Sequence, residues 1–199
     1  WDGGSPTWDA GATVWDFGVV KADHWSFVNY GTFVLATSGA DAPQIYKGDG
    51  GNFVSMFQAI TGITLVLGGT GYTVNDVLTL TGGGGTGATA TVLTVNSGVI
   101  TKVGMTSGGT GYTSAATGFT GGTGADAEFT FTFSDMDVSS VEIFINRGPH
   151  VLGFNTSASP KEFIWCAADD TDAWVTKTTN LAGQLQIREL KTDIMAAVP

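Results

Sequence analysis

The chain has 199 residues, of which 42% are hydrophobic and only 13% are charged, and its net charge is −10. This length suits one large or two modest domains, and the acidic balance excludes a surface built to hold nucleic-acid phosphates. The single Cys166 excludes an internal disulfide, and we expect neither a membrane span nor a signal peptide, since no apolar segment is suitable. Thirty glycines and abundant Thr favour short strands joined by tight turns, which predicts an all-β fold.

Three Trp-Asp pairs recur at seven-residue intervals near the N-terminus, beginning at Trp1, Trp8 and Trp15. The Gly and Pro residues between them exclude the helix that this spacing could otherwise suggest, because both residue types destabilise helix interiors. We therefore expect an extended arm whose Trp side chains lie in successive grooves. A carbohydrate-binding Trp ladder is the alternative interpretation.

Composition divides the chain into three zones. Residues 61–133 contain no Trp, 18 of the 30 glycines and a single basic residue, Lys102, whereas both flanks contain Trp and Pro. A composition that changes and then changes back is typical of an insertion. We expect residues 1–60 to form the Trp-rich arm and a first unit, residues 61–133 an inserted Gly/Thr-rich β domain, and residues 134–199 a second unit and the start of the next.

The two flanks repeat each other at a constant offset of 117 residues. Removing the 73 residues of the middle zone leaves a period of 44, and a repeat of about 40–50 residues with several short strands is the pattern of a β-propeller blade. Two ordinary hairpins that share common strand residues are the alternative. The matching positions are Phe27 with Phe144, Val28 with Ile145, Asn29 with Asn146, Gly31 with Gly148, Val34 with Val151, Leu35 with Leu152 and Pro43 with Pro160.

Each blade is expected to contain four antiparallel strands, since apolar runs alternate with polar turns. In the second blade the runs are Val141–Ile145, Val151–Phe154, Glu162–Ala167 and Trp174–Thr176. In the first blade they are Phe27–Val28, Phe33–Ala36, Gln44–Tyr46 and Asn52–Val54. We expect Phe27, Phe144 and Trp165 to be largely buried. Two blades do not close a propeller, which needs about four to eight, so the prediction is a partial β-propeller. Either the chain is a fragment of a longer protein, which we favour, or neighbouring subunits complete the sheet.

The middle zone has a repeat of its own. The sequence Gly-Gly-Thr-Gly-Tyr-Thr at 68–73 recurs unchanged at 108–113, and a Gly-Thr-Gly turn follows each copy, at 85–87 and 122–124. Predicted strands are Val77–Leu80, Thr89–Val95, Ile100–Met105 and Glu128–Phe133, with Asn96-Ser97-Gly98 as a hairpin turn. The zone is therefore predicted to be a compact, separable β module with internal pseudo-symmetry.

Short segments of both flanks place aromatic and β-branched residues beside tight turns. These segments are Trp25-Ser26-Phe27, Asn29-Tyr30-Gly31, Val34–Thr37, Gln44–Lys47, Phe163–Cys166, Gly183–Leu185 and Asp193–Pro199. With the Trp-Asp-rich start, they resemble the β-propeller tail proteins of tailed bacteriophages, and the middle zone is similar to a Gly-Gly-x-Gly-Tyr-Thr module inserted in phage virion proteins.

This resemblance implies a virion structural protein of the nozzle or stabilisation type, in a homo-oligomeric ring around the DNA exit channel. It implies contacts with other tail proteins, on the adaptor or portal side and at fibres or spikes, and assembly into virions in the host cytoplasm. DNA would pass the acidic wall without specific binding. The alternative is a host-surface or carbohydrate-binding adhesin module whose exposed Trp and Tyr side chains stack on sugars.

No constellation of catalytic residues is evident. His24 and His150 are not at equivalent positions, and His150 precedes a strand, which favours a hydrogen-bonded structural histidine. Cys166 lies in an apolar strand and is expected to be a buried, unreactive thiol. One Cys and two His also lack the spacing of a metal site. We therefore expect no enzyme and no cofactor, and we assign no catalytic, cofactor-binding or metal residues.

Two kinds of loop resemble ligand sites without matching them. Asp169, Asp170 and Asp172 could bind Ca²⁺, but the segment lacks the Gly and the terminal Glu of an EF-hand loop, so a solvated hairpin turn is the expectation. The Gly-rich strings at 82–87 and 121–124 are followed by neither Lys-Ser/Thr nor a helix, which indicates turns rather than phosphate loops.

Overall fold

The computed structural model describes residues 25–187, and this part of the chain is all-β with no helix. Its strands are β1 (Ser26–Tyr30), β2 (Phe33–Thr37), β3 (Gln44–Tyr46), β4 (Val54–Ser55), β5 (Ala59–Thr70), β6 (Val77–Thr81), β7 (Thr86–Asn96), β8 (Val99–Thr110), β9 (Gly118–Gly121), β10 (Ala125–Ser134), β11 (Val141–Arg147), β12 (His150–Thr156), β13 (Glu162–Trp165) and β14 (Gly183–Gln186). They form several antiparallel sheets, none of which is closed. The predicted Trp arm, His24 and Asp193–Pro199 lie outside the described residues. Residues 25–187 contain no helix that is long and apolar enough to cross a membrane.

Strands β1 to β4 form a four-stranded antiparallel meander, the N-terminal sheet. A two-residue turn joins β1 to β2, and its Gly31 has a φ of 59°, which glycine adopts without a steric penalty. The predicted second and third strands are confirmed. The fourth begins only at Val54, because the Asn52 amide donates to the Met105 carbonyl of β8 at 2.7 Å and is thereby taken out of the sheet.

Strands β11 to β14 form a second meander of the same order, the C-terminal sheet. The first three predicted strands are confirmed, but the fourth is Gly183–Gln186, and the prediction of a strand at Trp174–Thr176 is wrong. The amides of Trp174 and Val175 donate to one carboxylate oxygen of Asp135, at 2.6 and 3.1 Å. Because a side chain satisfies these amides, they are not available to a neighbouring strand.

The two sheets share a pairing pattern, although the offset between them changes along the chain. Leu35 pairs with Ile45, and its equivalent Leu152 pairs with Trp165. The offset of 117 residues between the two leucines becomes 120 between Ile45 and Trp165, because the second hairpin is three residues longer. The expected match of Pro43 with Pro160 is therefore wrong, since Pro160 lies within the longer hairpin.

Strands β5 to β10 form the inserted module, as two copies of a three-stranded unit. β5 and β8 each have 12 residues and begin 40 residues apart, at Ala59 and Val99. β10 pairs with β5, while β8, β7, β6 and β9 form a four-stranded sheet. The predicted strands of this zone are confirmed, as is the hairpin turn at Ser97-Gly98, where both residues have positive φ. β5 and β9 have no counterpart among the predicted strands.

The repeated glycines allow the two copies to pack closely. A Cβ on Gly68 would lie 2.4 Å from the carbonyl oxygen of Ile100 in β8. A Cβ on Gly108 would lie 2.9 Å from the carbonyl oxygen of Ile60 in β5. The glycines are 40 residues apart, and so are their two partners, so these contacts are equivalent. The predicted internal pseudo-symmetry is confirmed.

A buried Tyr of each copy covers a glycine of the other. The Tyr72 ring would lie 2.4 Å from a Cβ on Gly124, and the Tyr112 ring 2.3 Å from a Cβ on Gly85. The structural equivalent of Gly85 is therefore Gly124. Matching the Gly-Thr-Gly turns at 85–87 and 122–124 to each other is thus two residues out of register.

One continuous apolar core joins the three parts. Leu35 of the N-terminal sheet, Met105 of the inserted module and Phe144 of the C-terminal sheet belong to a single cluster of buried side chains. The module also lies directly on the loop before β4, where a Cβ on Gly51 would lie 2.2 Å from the carbonyl oxygen of Met105. Its two ends are adjacent, since Ala59 and Ser134 are partners in the β5–β10 pairing.

Candidate functional site

The N-terminal and C-terminal sheets meet beside their first strands, β1 and β11. The side-chain amide of Asn146 donates to the backbone carbonyl of Asn29 at 2.8 Å. The Val141 carbonyl accepts from the Thr37 hydroxyl and from the Gly39 amide, the latter at 3.2 Å. Asn29 and Asn146 are equivalent positions of the repeat, so the sheets meet through corresponding strands.

Tyr30 adds a second polar contact between the sheets. Its hydroxyl lies 2.9 Å from the Pro149 carbonyl oxygen and 3.0 Å from a carboxylate oxygen of Asp169, and it donates towards both. Burial, and then the hydrogen bond to Asp169, raise the pKa of Tyr30 to about 12. The neutral phenol is therefore the form that the folded protein stabilises.

A small polar cluster joins all three parts of the chain. Lys47, in the loop after β3, forms an ion pair with Asp172, and its ammonium group lies 3.0 Å from the Thr132 hydroxyl of β10. The Thr61 hydroxyl of β5 donates to the other carboxylate oxygen of Asp172 at 2.6 Å. The Lys47 and Asp172 side chains are only 13% and 15% exposed. This polar junction therefore fixes both ends of the inserted module against the two sheets.

The outward side of the C-terminal sheet carries a ladder of apolar side chains, which we call the open face. Across β12 and β13, Leu152 pairs with Trp165 and Phe154 with Phe163. The rings of Phe154 and Phe163 stack with centroids 5.5 Å apart, and the Phe163 centroid is 5.6 Å from that of Trp165. Leu185 extends the ladder onto β14 and is 53% exposed.

Two cationic or titratable side chains stand at one end of this ladder. Arg147 and His150 are partners across the β11–β12 hairpin. Together with Leu152, Phe163 and Trp165 they line a shallow cavity of about 270 Å³. An open aromatic surface beside a guanidinium group has the composition of a protein-binding or sugar-binding surface.

Trp165 is partly buried, less completely than its neighbour Ile164, so its predicted burial is confirmed in part. Its indole Nε1 donates to the Leu181 carbonyl at 2.8 Å, and a Cβ on Gly183 would lie 2.3 Å from the ring. These contacts orient the indole along the outward side of the sheet. The alternation of a β-strand explains the result, because Ile164 next to it takes the buried side at 3% exposure.

His150 and Cys166 have structural environments, as the sequence predicts. The Nδ1 of His150 lies 2.8 Å from the Cys166 carbonyl oxygen and must therefore carry the proton. The Cys166 thiol is fully buried and accepts a hydrogen bond from the Val151 amide at 3.1 Å. Burial raises the pKa of Cys166 to about 11. The thiol is therefore protonated at neutral pH and is a poor nucleophile.

The outward side of the N-terminal sheet carries a second aromatic group. Phe27 is 52% exposed, so its predicted burial is wrong. Its ring centroid lies 6.4 Å from that of Trp25 and 6.5 Å from that of Phe53. The ring centroids of Phe53 and Tyr46 are 5.5 Å apart. By contrast Phe144, the equivalent of Phe27, is 4% exposed, as predicted, because the neighbouring sheet and Trp174 cover it.

The acidic turn is held by protein groups. Asp169 accepts from Tyr30, Asp170 accepts from the Asp172 amide at 3.0 Å, and Asp172 is bound by Lys47 and Thr61. In the described part of the chain, no group of three or more His, Cys, Asp or Glu side chains is arranged to hold a metal ion. The glycine strings at 82–87 and 121–124 join β6 to β7 and β9 to β10, as turns.

Sequence reasoning missed both the polar junction and one local clamp. The junction joins residues up to 125 positions apart, such as Lys47 and Asp172, so no local pattern could reveal it. The clamp is local: the Asp76 carboxylate accepts from the Thr73 amide and from Thr123, and these bonds lower the pKa of Asp76 to about 2. A Thr-x-x-Asp turn after the Gly-Gly-Thr-Gly-Tyr motif was the available signal.

Comparison with known proteins adds no relative. The chain matches no protein family, no curated protein and no solved structure. The composition, the repeat and the geometry of these surfaces are therefore the observations that bear on function.

Proposed function

We propose that this chain is a non-catalytic structural component of a bacteriophage tail, forming part of a propeller-like ring around the DNA exit channel. The observation that carries the proposal is the pair of four-stranded meanders, which are equivalent in sequence and packed against each other. Packing of successive meanders is how propeller blades are built. The resemblance of the flanks and of the inserted Gly-Gly-x-Gly-Tyr-Thr module to phage virion proteins supports the same role.

The contacts among the described residues suit a rigid subunit of a larger assembly. The parts are joined by a continuous apolar core and by a mostly buried ion pair. A net charge of −10 disfavours binding to the phosphates of passing DNA. In this role the partners are further copies of the chain and neighbouring tail proteins, and the location is the virion.

Immunogold labelling tests the proposed function directly. Antibodies raised against the purified chain are applied to particles of the phage whose genome encodes this chain. The labelled particles are then imaged by electron microscopy. We expect gold at the tail and a symmetric ring in averaged images. Label that is absent from particles, or that lies on the capsid, would reject a tail role.

A carbohydrate-binding adhesin is the second candidate, favoured by the open face. Its aromatic ladder and Arg147 have the residue types that stack on sugar rings and bind acidic groups. A glycan array with the wild-type chain and with Trp165→Ala decides this point. Binding that disappears in the variant would support the adhesin, and an array without signal would leave the structural role.

A further inference from the structure

The two three-stranded units of the inserted module differ at one strand edge. β7, the last strand of the first unit, pairs with β8 on one side and with β6 on the other. Within residues 25–187, β10, the last strand of the second unit, pairs only with β5. Apart from β5, no described strand comes within 8 Å of β10, between Cα atoms, at more than isolated points. One edge of β10 is therefore open.

The side chains along β10 differ accordingly from those along β7. By the registers of the two ladders, Phe129 of β10 is equivalent to Ala90 of β7, and Phe131 is equivalent to Val92. Ala90 and Val92 are fully buried, whereas both phenylalanines are partly exposed. The second unit thus carries larger apolar side chains at the positions where it has one neighbouring strand fewer.

The open edge lacks the features that commonly protect an edge strand from pairing. The segment 129–133 contains no charged residue and no Pro. At both register shifts of the β5–β10 ladder the extra residue, Val66 or Thr61, lies in β5, so β10 keeps a regular alternation. A regular, uncharged edge strand presents backbone N–H and C=O groups that a further strand can bind.

We infer that two copies of this chain pair through the open edge of β10, as antiparallel strands related by a two-fold axis at Thr130. The same surface is used on both copies, so the contact closes at a dimer. The inference goes beyond the proposed function and does not depend on it.

The sequence of β10 is self-complementary, which favours a second copy as the partner. Residues 129–133 read Phe-Thr-Phe-Thr-Phe, the same in both directions. Antiparallel pairing about Thr130 places Phe129 opposite Phe131 and Thr130 opposite its counterpart. Aromatic pairs and Thr pairs in directly opposite positions stabilise antiparallel sheets.

Charge and burial select the position of the axis. An axis at Glu128 would place the two Glu128 carboxylates opposite each other, and an axis at Phe129 would make them diagonal neighbours, which like charges disfavour. An axis at Phe131 would bring the fully buried Ser134 into the ladder. With the axis at Thr130, the two Glu128 residues are about 13 Å apart along the strands.

Opposite charges at Thr130 test the inference on the full 199-residue chain. Thr130→Lys and Thr130→Glu each place like charges opposite each other in the dimer, whereas a mixture of the two variants places opposite charges together. Thr64→Lys is the control, because Thr64 is the exposed partner of Thr130 in β5 and lies one strand away from the open edge. Circular dichroism and thermal melting establish that each variant is folded.

Sedimentation velocity and native mass spectrometry give the readout. We expect wild type and Thr64→Lys to form dimers, and each Thr130 variant alone to dimerise at least about tenfold more weakly. An equimolar mixture of unlabelled Thr130→Lys and isotope-labelled Thr130→Glu is expected to recover dimers, and these should have the mixed mass.

Hydrogen exchange distinguishes strand pairing from any other contact between copies. The amides of β10 that point away from β5 should exchange more slowly as the wild-type concentration rises, because the second copy then binds them. The amides of β6 are the reference, since this strand already has a partner on both sides.

Several outcomes would overturn the inference. These are a monomeric wild type, a Thr130→Lys dimer as stable as wild type, an equal loss in Thr64→Lys, a mixture without heterodimers, or dimers whose β10 amides exchange no more slowly. A monomeric wild type would assign the edge to a strand of another protein instead. Labelling of the tail is a separate measurement, so the inference and the proposed function can fail independently.

Discussion

Individual polar side chains fasten segments of this chain that are far apart in sequence. The ion pair of Lys47 with Asp172 is mostly enclosed, whereas the pair of Lys177 with Asp135 leaves the lysine side chain 55% exposed. The described residues thus include two Lys–Asp pairs that differ mainly in the burial of the lysine, and their comparison isolates what this burial contributes.

Removing the two lysines is expected to have unequal effects. Lys47→Ala should lower the free energy of unfolding by about 3 kcal/mol, because it leaves the Asp172 carboxylate enclosed without its countercharge. Lys177→Ala should cost less than about 1 kcal/mol, since water screens the exposed ammonium group of Lys177 and the Trp174 and Val175 amides still bind Asp135 when the lysine is removed. Urea denaturation of both variants measures the difference, and equal losses would contradict the structural role of the junction.

The raised pKa of Tyr30 predicts that the stability of the protein depends on pH in the alkaline range. The pKa of Tyr30 is raised from 10.0 to about 12 in the folded protein, so its contribution is full below pH 10 and is lost as the pH rises to about 12. The stability advantage of wild type over Tyr30→Phe should therefore shrink across this window. Denaturation of both proteins between pH 8 and pH 12 provides the test, and an advantage that stays constant would show that the phenol is not held neutral.

At the scale of the element, close strand crossing depends on glycine. β5 and β8 approach each other where Gly68 and Gly108 lie on the opposite backbone. Neither residue has a positive φ, so the requirement is for space and not for an unusual conformation. The repeated glycine sequence thus allows a packing contact between the two copies as well as forming a turn in each.

The stability lost on substituting a glycine of the module with alanine should depend on the space available to the added Cβ. Gly68→Ala and Gly108→Ala should each destabilise by about 1–3 kcal/mol through overpacking, with Gly68→Ala the worse. Gly118→Ala is the matched control in β9, because its Cβ would meet only the Thr81 hydroxyl, at 3.3 Å. Thermal melting ranks the three variants, and a cost for Gly118→Ala as large as the others would argue against crowding as the cause.

For the whole molecule, the inserted module remains predicted to be separable from the two sheets. Its ends are adjacent, and a short connection between them adds little loop-closure entropy. It also contributes Thr61 and Thr132 to the polar junction and packs Met105 on the loop at Gly51. We therefore expect that the two sheets fold without the module and that the module nevertheless stabilises them. One variant that lacks the module tests both expectations.

Replacing residues 61–133 with a short Gly-Ser linker is expected to lower the melting temperature while leaving a cooperative transition. The two sheets retain their own pairing, but the junction loses both threonine hydroxyls. The intact chain carrying Thr61→Ala and Thr132→Ala separates the loss of these bonds from the loss of apolar contact. A linker variant without a cooperative transition would mean that the module is an integral part of the core.

Local features of the fold could be predicted from the sequence, because they depend on residues close together in the chain. Alternating apolar residues predicted most strands, and Ser97-Gly98 predicted a hairpin, since such turns need positive φ. The buried state of Cys166 and the hydrogen-bonded role of His150 followed from their apolar strand context. The exact hexapeptide repeat predicted the symmetry of the module.

Only the tertiary structure decided which side of each sheet is covered and which polar groups meet. Phe27 and Phe144 occupy equivalent positions of the repeat, yet Phe27 is 52% exposed and Phe144 is 4% exposed, because the N-terminal sheet and Trp174 pack against Phe144. Trp174 does not form the predicted strand because the carboxylate of Asp135, far away in sequence, accepts a hydrogen bond from its backbone amide. Burial and pairing of this kind depend on contacts between segments far apart in the chain, and strand periodicity carries no information about them.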